Sequence, residues 1–280
     1  MRIIHSDEII KTVEQMCIDA NCFINDDIKN ALQSSKENEN SAVAKSVLDD
    51  LLKNAEIAKD KQMPICQDTG MAVFFVSIGK DIHVEGDSIT DAINKGVALG
   101  YTNGYLRKSV VCDPLNRINT NDNTPAVIYY DFIDGDKLEI TFTPKGFGSE
   151  NKSAVKMLNP SDGVQGVINF VIETVKTAGA NPCPPMVVGV GIGGTMDKAA
   201  TLSKKALTRN IYVPNEIPFY SELENTLLEK INALGIGPQG LGGITTALGV
   251  NIEVFPTHIA GLPIAVNISC HATRHIKKII

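Results

Sequence analysis

Apolar positions along the chain fall first into helical spacing and later into alternation. Ile9, Ile10, Val13, Met16, Cys17 and Ala20 recur three or four apart, which predicts an amphipathic helix over 6–20 with Ser6 able to cap it. Cys17 lies on that apolar face and Cys22 follows closely, so both read as core. A short second helix follows Asn25, with Ile28 and Leu32 turned inward, and the polar stretch 34–41 reads as a loop. Val43, Val47, Leu48, Leu51, Leu52 and Ala55 predict a strong amphipathic helix over 41–59. The first strand-like run is 72–78. The turn-rich stretch 79–86 follows, where His83 reads as a solvated loop residue.

Downstream the two periods mix. A helix is predicted over 90–100, ended by Asn103-Gly104. The runs 126–133 and 137–143 are rich in β-branched and aromatic residues with Asp134-Gly135 between them, which predicts a β-hairpin. One or two helical turns then lead to a stop at Asn159-Pro160. Helices over 162–178, 197–208 and 218–234 and strands over 186–191, 245–255 and 263–269 complete the chain. No internal repeat and no linker divides it, so residues 1–280 read as a single domain. The expected class is α/β, with mixed α+β open: a helical N-terminal part followed by mixed β-sheets flanked by helices.

Composition narrows the function classes. With 280 residues the chain can bury a large core. It has no tryptophan and only 5% aromatics, which argues against a base-stacking nucleic-acid surface. A net charge of -6 without any like-charge block argues against a nucleic-acid or anionic-membrane partner. A small dianion remains possible where Arg and Lys concentrate locally. The N-terminus turns acidic at once and no apolar run approaches a membrane span, so a cytoplasmic location is expected. The 6 cysteines then read as thiols or metal ligands rather than disulfides.

The densest chemistry lies in Pro64-Ile65-Cys66-Gln67-Asp68-Thr69-Gly70, between the 41–59 helix and the 72–78 strand. A thiol, an amide, a carboxylate, a hydroxyl and a glycine stand side by side, a mixture that packing rarely needs because each dry polar group must find a partner. Asp68 alone could equally cap an Asx-turn before Gly70. Gly191-Ile192-Gly193-Gly194-Thr195 sits between a strand and a helix and invites a nucleotide-binding reading. It lacks both phosphate-loop spacings, and glycine suits any tight strand-to-helix turn. No H-E-x-x-H, C-x-x-C or G-x-S-x-G is present. Cys66, Cys183 (between prolines) and Cys270 (at a strand end) lie on no helical core face. Three thiolates suit a metal or iron–sulfur centre with one open position, and three buried small hydrophobes would leave the same pattern.

Several motifs together carry a resemblance. Cys-Gln-Asp-Thr-Gly at 66–70, Leu-Arg-Lys-Ser-Val-Val at 106–111, Pro-Lys-Gly-Phe-Gly-Ser-Glu-Asn at 144–151, Asn-Pro-Cys-Pro-Pro at 181–185, Gly-Pro-Gln-Gly-Leu-Gly-Gly at 237–243 and His-Ile-Ala-Gly-Leu-Pro at 258–263 stand in one order over nearly the whole chain. The chain resembles the alpha subunit, or N-terminal domain, of the class I iron–sulfur hydro-lyases, the fumarate hydratase and L-tartrate dehydratase family. The resemblance implies a [4Fe–4S] cluster on Cys66, Cys183 and Cys270, with Cys17, Cys22 and Cys112 structural. It implies substrate contacts from Gln67, Asp68, Arg107, Gly148, Asn151 and Lys152, and proton transfer by Asp68 helped by His258. Arg107 would grip a carboxylate bidentately, although alone it reads as a surface charge beside Lys108. His271, Arg274 and His275 could support the ligand loop or form a polar tail.

The implied reaction is reversible hydration of fumarate to (S)-malate, with L(+)-tartrate dehydration to oxaloacetate as the alternative. The implied partner is a beta subunit, in an α2β2 assembly. A non-enzymatic iron–sulfur or redox-sensing subunit is the rival of another class.

Overall fold

The computed structural model describes residues Met1–Ile280. In chain order the elements are β1 (Arg2–His5), α1 (Ser6–Cys22), α2 (Asp26–Asn38), α3 (Ala42–Lys61), β2 (Met71–Gly79), β3 (Ile82–Glu85), α4 (Ile89–Asn103), β4 (Val127–Ile133) and β5 (Leu138–Lys145). There follow α5 (Phe147–Glu150), β6 (Ala154–Leu158), α6 (Gly163–Ala178), β7 (Met186–Gly193), α7 (Met196–Ala206), α8 (Pro218–Asn232), β8 (Ala247–Phe255), β9 (Leu262–Ser269) and β10 (Ile276–Ile279). The class is mixed α/β, as the sequence implies. No helix is long and apolar enough to cross a membrane.

The chain forms two compact units. One comprises Met1–Ile24, Ala55–Phe147 and Arg274–Ile280, and the other Asn25–Asn54 and Gly148–Thr273. Each has its own apolar core. In the first unit α1 and α4 bury Ile9, Val13, Met16, Cys17, Ile93 and Val97 against Phe74, Ile140 and Phe142 of the strands. The sheet order there is β10-β5-β2-β4, and β1 pairs with β3 in a separate parallel ribbon. In the second unit the order is β6-β9-β7-β8, with β7 central and buried along its whole length.

The hairpin expected over 126–143 does not form. β2 lies between its two strands, pairing parallel with β4 and antiparallel with β5. The Asp134-Gly135 connection instead passes over the end of β2, where the Gly79 amide donates to the Lys137 carbonyl (2.9 Å) and the Asp81 amide to the Gly135 carbonyl (3.0 Å). A turn signal is local and cannot reveal a third strand inserted from earlier in the chain. Two other local readings also change. The stretch after Pro144 makes one helical turn and then strand β6, and the polar stretch 34–41 is mostly the continuation of α2.

The glycines of β7 have a packing cause. A Cβ on Gly189 would lie 2.1 Å from the Ser203 carbonyl oxygen, and one on Gly191 2.0 Å from that of Ala199. Helix α7 therefore rests directly on the backbone of β7. That accounts for much of the glycine pattern that invites a nucleotide reading.

Candidate active site

The turn after α3 is held from several sides within the first unit. The Asp68 carboxylate accepts from the Gly70 amide through Oδ1 (3.0 Å) and from the Phe147 amide through Oδ2 (3.0 Å). The first bond is the Asx-turn that the sequence allows, and the second ties the turn to the start of α5, just after β5. Both roles use one carboxylate, and each oxygen keeps a further lone pair for a ligand. Cys66 is half-buried, and its Sγ accepts from the Asp68 amide at 3.4 Å. Gln67 is exposed beside it.

Thr69 brings Arg107 to this turn. Its hydroxyl accepts from the Arg107 amide (3.0 Å) and donates to the Arg107 carbonyl (3.2 Å), while the Arg107 side chain stays exposed. Underneath, the fully buried Tyr101 of α4 donates from its hydroxyl to the carbonyl of Thr69 (2.8 Å). Burial, above all, pushes the Tyr101 phenol well above its ordinary range. Buried Asn123 joins the Ser109 amide (2.7 Å) to the Gly70 carbonyl (3.2 Å).

Arg274, a candidate for the polar tail, is instead buried and structural. Its Nη2 donates to Asn21 Oδ1 (2.9 Å) and to the Asp68 carbonyl (3.1 Å). Of these supports, Thr69 stands in the motif itself. Tyr101, Asn123 and Arg274 are single polar residues in ordinary surroundings. The one signal for Arg274 is its place just after Cys270.

The second unit brings Cys183 and Cys270 to one end of its sheet. Cys183 precedes β7 and Cys270 follows β9, and these strands run antiparallel with Val187 opposite Ser269. The His271 amide donates to the Cys183 carbonyl at 3.3 Å, and the ring Nδ1 lies 3.0 Å from the same oxygen. Gln239, from the glycine-rich 235–243 loop, donates to the Pro184 carbonyl from its backbone (2.8 Å) and its side chain (2.9 Å). That loop therefore buttresses the Cys183 turn.

Gly148, Asn151 and Lys152 belong to the same unit. A Cβ on Gly148 would meet no atom within 4 Å, so packing does not require glycine there. Asn151 and Lys152 line a pocket of about 350 Å³ together with Phe170, Glu173, Thr174 and Thr177. Between these positions Glu150 pairs with Lys204 of α7 and accepts from Asn267 Nδ2 of β9 (3.1 Å). The turn carrying Asn151 and Lys152 is thereby fixed to the core.

His258 lies elsewhere. It occupies the exposed β8–β9 connection, where the Thr257 hydroxyl donates to the Gly194 carbonyl (2.9 Å) and the Gly194 amide to the Pro256 carbonyl (3.2 Å). This is the opposite end of β7 from Cys183 and Cys270.

The cysteines divide by environment. Burial, then the nearby Glu14 charge, pushes the Cys17 thiol far up. Cys22 is raised by burial first and Asp19 second, against a lowering from Arg274. Both are poor thiolates and hence poor ligands. Cys112 sits exposed in the 107–124 loop rather than in a core. Cys66, Cys183 and Cys270 are each at least partly accessible, and no disulfide joins any cysteine. An amide directed at Cys66 Sγ is the kind of contact that stabilises a cluster-bound thiolate, so this donor set fits an iron–sulfur group. No three His, Cys, Asp or Glu side chains converge on a point that would hold a single metal ion.

The chain matches the family described as fumarate hydratase (fumerase) over residues 10–278. It is 44% identical over 279 residues to a Methanocaldococcus jannaschii protein named "Putative L(+)-tartrate dehydratase subunit alpha", covering 97% of this chain and 98% of that one. It is 36% identical over 253 residues to the L(+)-tartrate dehydratase subunit alpha of Escherichia coli K12, covering 89% and 83% respectively. The same figures hold for the protein of that name in Shigella sonnei. The chain belongs to the fumarate hydratase family, a family of hydro-lyases. The named relatives are alpha subunits, each one chain of a larger enzyme.

Proposed function

We propose that this chain is the alpha subunit of a cytoplasmic, two-subunit, [4Fe–4S]-dependent hydro-lyase that interconverts fumarate and (S)-malate. The observation that carries the reading is the Thr69 clasp. It holds a guanidinium residue beside a turn that also carries a thiol and a fixed carboxylate. Cys66, Cys183 and Cys270 would hold the cluster, with Cys17, Cys22 and Cys112 outside it. When bound, the cluster supplies Lewis-acid stabilisation of charge on a hydroxyl and a carboxylate.

The remaining work falls to this chain and its partner. Arg107 offers a planar fork to a substrate carboxylate. Gln67, Asn151, Lys152 and the side-chain-free backbone at Gly148 complete the contacts with a small dicarboxylate. Asp68, anchored through one lone pair on each oxygen, exchanges a proton with the substrate hydroxyl oxygen, assisted by His258. A beta subunit, in an α2β2 assembly, closes the pocket and supplies the group that handles the carbon-bound proton.

The names of the relatives favour a second substrate, L(+)-tartrate, which would yield oxaloacetate by the same chemistry. A pocket that hydrogen-bonds the extra hydroxyl can separate the two strongly. The test is to co-express the chain with its beta subunit, purify without oxygen, and assay fumarate, malate and tartrate. Turnover of fumarate and malate well above tartrate is expected. The reverse preference selects the tartrate reading. An intact cluster spectrum without turnover of any of them would leave only the non-enzymatic iron–sulfur subunit. Full activity in Cys183→Ala or Cys270→Ala would overturn the ligand set.

A further inference from the structure

We propose that Gln239 and His271 are positioning residues: together they hold Cys183 in a left-handed backbone conformation that presents its thiol to the cluster. This role deepens the proposed function and rests on the assignment of Cys183 and Cys270 as cluster ligands. It gives a task to Gly-Pro-Gln-Gly-Leu-Gly-Gly at 237–243, none of whose residues is among the proposed substrate contacts.

Local sequence does not choose the conformation of Cys183. Its φ is +54°, in the region that residues with a Cβ seldom occupy. Pro184 follows it, and the pyrrolidine ring drives the residue before a proline toward extended backbone. A strained residue of this kind persists only where its surroundings over-determine it.

The surroundings here do so. The Cys183 amide donates to the Ala180 carbonyl (3.1 Å). The Cys183 carbonyl accepts from the His271 amide (3.3 Å) and, with the ring proton on Nδ1, from the imidazole (3.0 Å). The next carbonyl, that of Pro184, accepts from Gln239 twice, through its backbone amide (2.8 Å) and its Nε2 (2.9 Å). Gln239 is itself left-handed, with φ +52° and ψ +17°, and both of its donors turn to that one oxygen. Glycines let the segment come this close. A Cβ on Gly240 would lie 2.2 Å from the Cβ of Ala180, and one on Gly237 2.0 Å from the Gly242 carbonyl oxygen. Four donors therefore close on two adjacent carbonyls, and each of these bonds ends on backbone rather than on sulfur. Because His271 follows Cys270, the same bonds fix the spacing of the two ligand backbones. A ligand held in place loses little freedom on binding, which tightens the site.

Chelator-driven loss of the cluster tests this. Alpha chains carrying Gln239→Gly, His271→Leu or His271→Asn are co-expressed with the beta subunit and purified without oxygen. Bleaching of the cluster absorbance is then followed in excess chelator. Gln239→Gly removes the side-chain bond, while glycine keeps the left-handed backbone without strain. His271→Leu removes the ring bond, and His271→Asn returns a donor, Nδ2, to the place of Nδ1. Bleaching should be about 10-fold faster in Gln239→Gly and His271→Leu, and close to wild type in His271→Asn. In the cluster-free complexes, hydrogen exchange should quicken in the first two variants at the amides of residues 183, 239 and 271, but not along β7. Wild-type bleaching rates in both Gln239→Gly and His271→Leu overturn the proposal. So does faster exchange along the whole of β7, which would make the two residues general supports of the unit. A wild-type complex without cluster absorbance removes the ligand assignment itself. A cluster-bearing wild type whose variants bleach no faster removes only the clamp.

Discussion

Thr69 shows how one side chain sets the candidate site. It makes no contact that chemistry would use, yet both of its hydrogen bonds go to the backbone of Arg107. Thr69→Val removes both at nearly constant volume. At about 1–1.5 kcal/mol for such bonds, kcat/KM for the dicarboxylate should fall roughly 10-fold, mostly through KM. Thr69→Ser should restore most of it, and equal kinetics for Thr69→Val and wild type would detach Arg107 from substrate binding. Two glycines give a matching contrast. Gly70 has a φ of +74°, and a Cβ there would lie 2.7 Å from the Lys145 amide, so Gly70→Ala should lower the melting temperature by several degrees. Gly148→Ala meets nothing, so it should keep the wild-type melting temperature and raise KM. An unchanged KM would remove Gly148 from the substrate contacts. The polar mixture at 66–70 is legible from the chain alone because so many donors and acceptors in one short run need an explanation. Tyr101, Asn123 and Arg274 are not, because each is a single polar residue whose partner is far away in sequence.

At the scale of elements, periodicity identifies most helices, and what it misses is long-range. α1 and α4 are readable from their apolar stripes, but their closeness is written only in two glycines. A Cβ on Gly96 would lie 2.7 Å from the Ile10 carbonyl oxygen, and one on Gly100 2.7 Å from the Cβ of Cys17. The hairpin fails for a related reason: the Asp-Gly signal is local, while the insertion of β2 is a matter of sheet order. The α1–α4 contact has a consequence for pH. Cys17 and Tyr101 are buried there and held neutral, with burial as the main cause of both raised pKa values. Their contribution is complete below the ordinary thiol value of 9.0. It is lost as pH rises, first through the thiol and then beyond the phenol's ordinary 10.0. In that range the unfolded chain releases protons that the folded chain keeps. Urea midpoints of the apo chain should therefore be flat near neutrality and decline above about pH 9. Cys17→Ala should make the decline shallower between pH 9 and 10. A wild-type midpoint that stays level to pH 10 would contradict the burial of that thiol.

At the scale of the whole molecule, the chain passes back and forth between two cores, each with its own sheet. Sequence reading sees one uninterrupted domain because none of the crossings, after Ile24, Asn54, Phe147 and Thr273, is marked by a linker. The proposed ligands divide the same way: Cys66 lies in the first unit, Cys183 and Cys270 in the second. A cluster bound to all three couples its free energy of binding to the ordering of residues in both units. Hydrogen exchange under anaerobic conditions can read that coupling without any assay of turnover. Loading iron and sulfide into the chain should slow exchange at 64–70 together with 181–185 and 270–274. In Cys183→Ala the protection at 64–70 should disappear along with that at the Cys183 turn, although Cys66 itself is intact. Protection that stays confined to one unit, or that survives at 64–70 in Cys183→Ala, would mean that the three cysteines do not share one cluster.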